Sequence, residues 1–214
     1  MGTQSQKNKT TMMALCGLFA AVTAVCSWIS IPLGFTPIPL NLGTLAVYLT
    51  GALLGKKYGP ISLLVYTLAG AVGLPVFSGF RGGLSVLAGP TGGYIIGYIV
   101  AAFLIGLIIS LLLRGSSAAE KAALRAGQTQ NTDAPAYSAP ASRPRGKAYG
   151  FAVYAFAMIC GMAACYALGT AWFMFSTHTP FAAAMVSCVI PFLPGDAIKI
   201  TAATILARKL KKFI

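Results

Sequence analysis

Gly55-Lys56-Lys57-Tyr58-Gly59-Pro60 separates two short apolar segments, at about 38–55 and 60–77. Glycine and proline mark turns, and the two lysines between them favour a position in water. The stretch therefore predicts a tight turn that folds one apolar run into a helical hairpin. If this stretch is a turn, the two apolar segments are separate membrane crossings, so the interpretation decides the predicted number of crossings.

The composition is typical of a protein embedded in a lipid bilayer. Of the 214 residues, 57% are hydrophobic and only 9% are charged, and the mean hydropathy is +0.78. A spanning helix needs about 20 apolar residues. We therefore predict an all-α polytopic membrane protein, a single domain over residues 1–214, with six transmembrane helices at about 12–31, 38–55, 60–77, 92–113, 149–173 and 190–208.

The basic residues predict the orientation. Although the net charge is +13, the lysines and arginines cluster between apolar segments and form no stripe with aromatics, so we expect no nucleic-acid partner. All but two of the 16 fall in the two tails, the hairpin turn and the connection between the fourth and fifth helices. If both termini are cytoplasmic, all of these segments lie on the cytoplasmic side of the membrane, where an excess of lysine and arginine is expected. The exceptions, Arg81 and Lys199, are the better site candidates.

The connections differ in character. Residues 115–147 are rich in Ala, Ser, Gln and Pro and predict a flexible cytoplasmic loop, with a short helix allowed at Glu120–Arg125. A solvated linker is favoured over a partner contact. The run 175–190, broken by Pro180, predicts a short interfacial piece on the outer side.

All five cysteines lie in apolar stretches without CxxC spacing, which favours packing over a metal site or a disulfide.

Two outer connections favour a pocket. Residues 31–41 hold three prolines among apolar residues and predict a stiff, extended loop suited to a lid or a wall. The glycines of 78–83 and 89–94 allow close approach of the backbone to a ligand, or serve only turns and helix packing.

Pro191-Phe192-Leu193-Pro194-Gly195-Asp196-Ala197-Ile198-Lys199 contains the main candidate site. The chain has three acidic residues, and only Asp196 lies in apolar sequence, where an ionisable group is by default functional. A helix places Lys199 on the same face. Two other interpretations remain open: Asp196 as a helix cap after Pro-Gly, and the pair as an internal salt bridge.

A carboxylate and an ammonium in a dry site suit a cyclic urea or amide, whose N–H groups need an acceptor and whose carbonyl needs a donor. Arg81 is a separate cation for a carboxylate at the ligand's other end. The sequence lacks a P-loop, so transport driven by ATP requires another polypeptide. An intramembrane enzyme using Asp196 as acid or base would lack a second catalytic group.

The first helix has small residues at helical spacing: Gly17, Ala20, Ala21 and Ala24. Such spacing lets another helix approach closely. It predicts either packing within the chain or docking to a partner subunit.

Four motifs, in order, resemble one known family: Pro-Ile-Pro-Leu-Asn-Leu-Gly-Thr-Leu (37–45), Gly-Leu-Pro-Val-Phe-Ser-Gly-Phe (73–80), Gly-Pro-Thr-Gly-Gly-Tyr (89–94) and the stretch 191–199. The chain resembles the BioY family, the biotin-specific substrate-capture components of energy-coupling factor (ECF) transporters. The resemblance implies a six-helix protein of the cell membrane with an outward-facing biotin pocket. It also implies a membrane coupling subunit and a cytoplasmic ATPase pair as partners. One departure is Gly43, where the family usually has Gln; the contact of that side chain is either absent here or replaced, with Asn41 as the candidate.

We therefore predict a capture subunit that binds biotin from outside without modifying it, with no catalytic residue, cofactor or metal. By resemblance, Asp196 and Lys199 hold the ureido ring and the small residues of the first helix dock to the coupling subunit. We assign the biotin carboxylate to Arg81 or to the amides of Thr91–Gly93; in the opposite arrangement Lys199 meets it. The remaining predicted substrate contacts are Phe35, Asn41, Thr44, Ser78 and Tyr94. The chief alternative is a small-solute transporter or channel that acts without an ATPase.

Overall fold

The computed structural model describes residues 2–34, 36, 38–128 and 147–212, with side chains over 9–34, 36, 38–113 and 148–212. The described part is mostly helical, as predicted. One small departure is a two-residue strand pair, in which Ser30 opposes Asn41 and Ile31 opposes Leu40. In chain order the elements are α1 (Gly2–Trp28), β1 (Ser30–Ile31), β2 (Leu40–Asn41), α2 (Gly43–Ala71), α3 (Leu84–Ala88), α4 (Gly92–Gln128), α5 (Lys147–Thr177), α6 (Phe181–Cys188), a 3₁₀ turn (Ile190–Phe192) and α7 (Leu193–Leu210).

The predicted hairpin is present within α2. The helix breaks at Gly55, whose φ of 73° lies in the left-handed region that favours glycine. A Cβ placed on Gly59 would lie 3.3 Å from the Cα of Gly51. In a straight helix these residues would be about 12 Å apart along the axis, since each residue rises about 1.5 Å. The two halves of α2 therefore fold back on each other.

Glycines let α4 pack tightly against this hairpin. A Cβ on Gly51 would lie 3.0 Å from the Cα of Ala102. One turn further along α4, a Cβ on Gly106 would lie 2.3 Å from the backbone nitrogen of Lys56, inside the hairpin turn. The helix α2 also contacts α1 and α7, and α4 contacts α5, so this pair of elements forms the centre of the bundle.

Four helical stretches of the described chain are long and apolar enough to cross a membrane: Lys9–Trp28, Gly92–Leu113, Ala148–Thr177 and Phe181–Leu210. Each overlaps a predicted transmembrane segment. The two remaining predicted segments correspond to the halves of α2, which are shorter. The chain is therefore a multi-pass membrane protein.

Two of the connections contain helix. The helix α4 continues to Gln128, so the predicted flexible loop is wrong over 115–128; the remainder, 129–146, lies outside the described residues. Ala, Leu, Glu, Lys and Arg between 118 and 126 have high helix propensity and extend a helix that is already nucleated. The expected short piece after Thr177 is α6, which begins directly after Pro180.

The buried core has two clusters. One, which includes Phe19, Ile105 and Met158, joins α1, α2, α4, α5 and α7. The other, which includes Tyr66, Phe77 and Tyr98, lies toward the connections 29–42 and 72–91, which we call the loop end of the bundle. The second cluster surrounds the cavity described below.

The contact between Gly106 and Lys56 predicts a steric requirement. We expect Gly106→Ala to destabilise the protein by about 1–3 kcal/mol, because the added methyl forces the hairpin turn away from α4. Gly17→Ala is the matched control: its Cβ meets nothing within 4 Å, so stability should stay equal or rise. Thermal unfolding in detergent measures both, and equal melting temperatures would contradict the packing argument.

Candidate ligand-binding site

A cavity of about 870 Å³, counting the part open to solvent, lies between α2, α4, α5 and α7 at the loop end. Five of the chain's nine tyrosines line it: Tyr48, Tyr66, Tyr94, Tyr98 and Tyr166. Tyrosine offers a large apolar ring and one polar hydroxyl. This lining suits a ligand that is mostly apolar and carries a few hydrogen-bonding groups.

The ion pair predicted from the sequence lies in this cavity. Lys199 Nζ is 3.1 Å from Asp196 Oδ1, and the two residues are 8% and 2% exposed. Asp196 stands in the first turn of α7, as the Pro-Gly-Asp sequence predicts, where the positive end of the helix dipole favours an acid. No side-chain hydrogen bond caps the helix at Phe192. The Asp196 carboxylate accepts its hydrogen bonds from side chains.

The partners of Asp196 come from three helices. Lys199 of α7 donates to Oδ1, and Tyr166 of α5 donates to Oδ2. Thr44 of α2 lies 3.4 Å from Oδ1 and accepts from Lys199 Nζ at 3.1 Å. The internal salt bridge left open by the sequence exists, and its neighbours connect α7 to α2 and α5.

Another tyrosine, Tyr48, is 2% exposed and follows Thr44 by one turn of α2. Its hydroxyl makes no hydrogen bond to any residue whose side chain the structure describes. Buried hydroxyl groups in proteins are almost always paired. Tyr48 is therefore exceptional among the cavity residues.

Asn41 explains how the chain accommodates Gly43. Its Oδ1 accepts from the backbone N–H of Gly43 at 2.9 Å, and its Nδ2 donates to Ser78 Oγ at 2.8 Å. A Cβ on Gly43 would lie 2.7 Å from Ser27 Oγ, so a larger residue requires a shift here. Asn41 lines the cavity while it joins α2 to the connection after Phe77.

The mouth of the cavity includes Arg81, Ser78 and Thr91, all predicted from the sequence. Arg81 is exposed, and its Nε donates to the carbonyl oxygen of Ser78 at 3.2 Å. Trp28 and Phe80 stack with ring centroids 5.0 Å apart and, together with Arg81, line an adjoining groove. The guanidinium therefore stands where a ligand would enter.

Two predicted residues of the fourth helix have different positions. Tyr94 lines the cavity, with its ring against Gly169 and its hydroxyl 3.3 Å from Thr170 Oγ1. Gly93 is absent from the lining, because it packs against Trp172: an added Cβ would lie 2.2 Å from the Cβ of that residue. Gly93 thus serves helix packing. Phe35, predicted as an apolar wall, lies outside the described residues.

The small residues of α1 divide between two faces. Ala20 and Ala24 are buried in the protein's own core, which corrects their assignment to a docking surface. Their small side chains let α1 approach this core cluster closely. Gly17 and Ala21 are exposed on the opposite face.

The tyrosines at 48, 66, 98 and 166 line the cavity but were not predicted from the sequence. Tyr48 follows Thr44 by four positions, and Tyr98 follows Tyr94 by four, so helical spacing from the predicted residues would have found both. Tyr166 is 30 residues from Asp196 and on another helix. Local spacing cannot find such a contact.

The helical fold defines a multi-pass membrane protein, and the cavity with its buried charges is its candidate ligand site. The chain belongs to the BioY family, whose model matches residues 2–214.

Similar proteins agree with this assignment. The biotin transporter BioY of Thermotoga maritima is 38% identical over 92% of this chain and 93% of the relative. The probable biotin transporter BioY of Pyrococcus horikoshii is 32% identical over 95% and 98%. A crystal structure of the S-component for biotin from an ECF-type ABC transporter superposes with a TM-score of 0.74, at 25% identity, over 96% of this chain and 93% of that one.

The buried ion pair predicts that removing one of its charges destabilises the folded protein more than removing both. We expect Lys199→Met to destabilise the protein by about 3–5 kcal/mol, because it leaves the Asp196 carboxylate buried without its cation. The double variant Asp196→Asn/Lys199→Met should lose clearly less, since no lone charge remains. Unfolding in detergent compares the two. A double variant less stable than the single one would contradict this account.

Proposed function

We propose that this protein is the biotin-capture subunit of an ECF-type vitamin uptake transporter in the plasma membrane. The observation that carries the proposal is the buried Asp196–Lys199 pair in a tyrosine-lined cavity. Membership of a family whose named relatives are biotin transporters identifies the vitamin. The pair supplies the acceptor and the donor that a ureido ring needs.

The Asp196 carboxylate can accept a further hydrogen bond from a ligand. A carboxylate offers about four lone-pair sites, and here three donors approach it: Lys199, Tyr166 and, at 3.4 Å, Thr44. The Thr44 contact is long and easily exchanged. A ureido N–H takes its place, while the ureido oxygen accepts from the Lys199 ammonium.

The ligand lies with its ring deep and its valerate chain toward the mouth. Asp196 and Lys199 are buried, whereas Arg81 is exposed at the entrance. Arg81 therefore meets the carboxylate. Thr91 and Ser78 lie beside it, and Tyr94 forms part of the apolar wall.

The chain has six spans, with both termini in the cytoplasm. The four long apolar stretches and the folded-back halves of α2 support six crossings. The basic residues support the orientation, because the hairpin turn and both tails are positively charged. The cavity then opens to the outside, where the vitamin is.

Transport requires a membrane coupling subunit and a cytoplasmic ATPase pair, since this sequence has no P-loop. The structure matched above is itself an S-component of an ECF-type transporter. The exposed face of α1 is the docking surface, with Gly17 and Ala21 allowing close approach. The protein releases biotin chemically unchanged and is not an enzyme.

Biotin binding tests the site. We expect Asp196→Asn to weaken binding of radiolabelled biotin to the purified protein by at least about tenfold, because it replaces a charged hydrogen bond with a neutral one. Asp133→Asn, the same substitution in the segment 115–147, should bind like wild type. Unchanged binding in Asp196→Asn would refute the site assignment.

Docking is tested separately from binding. Gly17→Leu and Ala21→Leu should reduce biotin uptake by cells that contain the coupling subunit and the ATPases, by about tenfold, and leave biotin binding to the purified subunit unchanged. A bulky side chain there prevents close helix approach. Ala163→Leu, on the exposed face of α5, is the matched control. Full uptake without the ATPases would favour the transporter that acts alone.

A further inference from the structure

The hydroxyl of Tyr48 makes no hydrogen bond of normal length and angle to the described residues, although the Thr44 hydroxyl lies nearby. It is the only buried side-chain nitrogen or oxygen atom within the described part of the chain that has no hydrogen bond. The residue is 2% exposed and lines the cavity. An unpaired buried hydroxyl destabilises the folded state, so its retention calls for an explanation.

The position of Tyr48 relates it to the ion pair. Thr44 and Tyr48 are four residues apart on α2 and therefore share a helix face. Thr44 Oγ1 accepts from Lys199 Nζ at 3.1 Å. The Tyr48 side chain thus lines the same cavity one turn along the helix from the lysine's contact with α2.

We propose that Tyr48 is a ligand-contacting residue that determines specificity: its hydroxyl donates a hydrogen bond to the ureido oxygen of biotin, beside the Lys199 ammonium. This inference rests on the proposed function. A carbonyl oxygen has two lone pairs and can accept from both donors. The ligand's N–H groups face the Asp196 carboxylate, which leaves the ureido oxygen as the acceptor for Tyr48.

The consequence is selectivity for an oxygen at this position. A site whose buried donors match a ligand oxygen rejects an analogue that lacks it, because the donors are then left unpaired. The thiourea analogue of biotin, with sulfur in place of the ureido oxygen, is the suitable probe, since sulfur is a weak acceptor. Wild-type protein should bind it more weakly than biotin.

Tyr48→Phe combined with this probe tests the contact. We expect the variant to weaken biotin binding about three- to tenfold, the effect of one lost neutral hydrogen bond. It should weaken binding of the thiourea analogue less than twofold, because that bond is already missing. Tyr154→Phe alters a buried tyrosine outside the cavity lining and should change neither affinity.

Thermal unfolding without ligand separates binding from folding. The melting temperature of Tyr48→Phe should equal or exceed that of wild type, since the substitution removes an unpaired hydroxyl. Tyr48→Met, which also lacks a donor, is the second variant if the first is unstable.

Two results would overturn the inference: wild-type affinity of Tyr48→Phe for biotin, or equal weakening of biotin and of the thiourea analogue. Failure of wild-type protein to bind biotin would refute the proposed function itself, and so is a distinct outcome.

Discussion

Burial of a charge in an apolar environment is the constraint on which this structure depends. An isolated carboxylate at the position of Asp196 would be strongly disfavoured, so the chain surrounds it with donors from different helices. Lys199 provides the opposite charge, and Tyr166 and Thr44 provide neutral contacts. These contacts connect α7 to α2 and α5.

The second constraint is steric and lies in the centre of the bundle. Gly51 and Gly59 allow the two halves of α2 to touch, and Gly106 allows α4 to lie against the turn between them. This contact lies toward the end of the bundle opposite the cavity, where glycine lets the helix backbones approach closely. At the loop end, tyrosines of α2, α4 and α5 line the internal space.

The sequence predicts the helices and the ion pair well, because each depends on local information. The hairpin follows from glycine, lysine and proline within six residues, and Asp196 with Lys199 from their spacing in apolar sequence. The contact of Tyr166 with Asp196 joins residues on different helices, and no local pattern predicts it. Gly93 and the pair Ala20 and Ala24 show the same limit: a small residue is visible in the sequence, but which neighbour it accommodates depends on the packing. The extension of α4 to Gln128 is only partly predictable, because the residues at 118–126 are polar enough for a loop and also have high helix propensity.

The arrangement of charge along the cavity has an energetic meaning. Among the lining residues only Arg81, Asp196 and Lys199 are charged. The deep pair is electrically neutral as a unit, whereas the exposed guanidinium leaves one positive charge at the entrance. A neutral ring can enter the interior without carrying an ion out of water, while an acidic chain end stays where it remains partly hydrated. The net charge of the lining therefore changes along the cavity, from neutral at the deep end to positive at the entrance. This difference favours entry of an amphipathic acid with its neutral end first, before any individual contact forms.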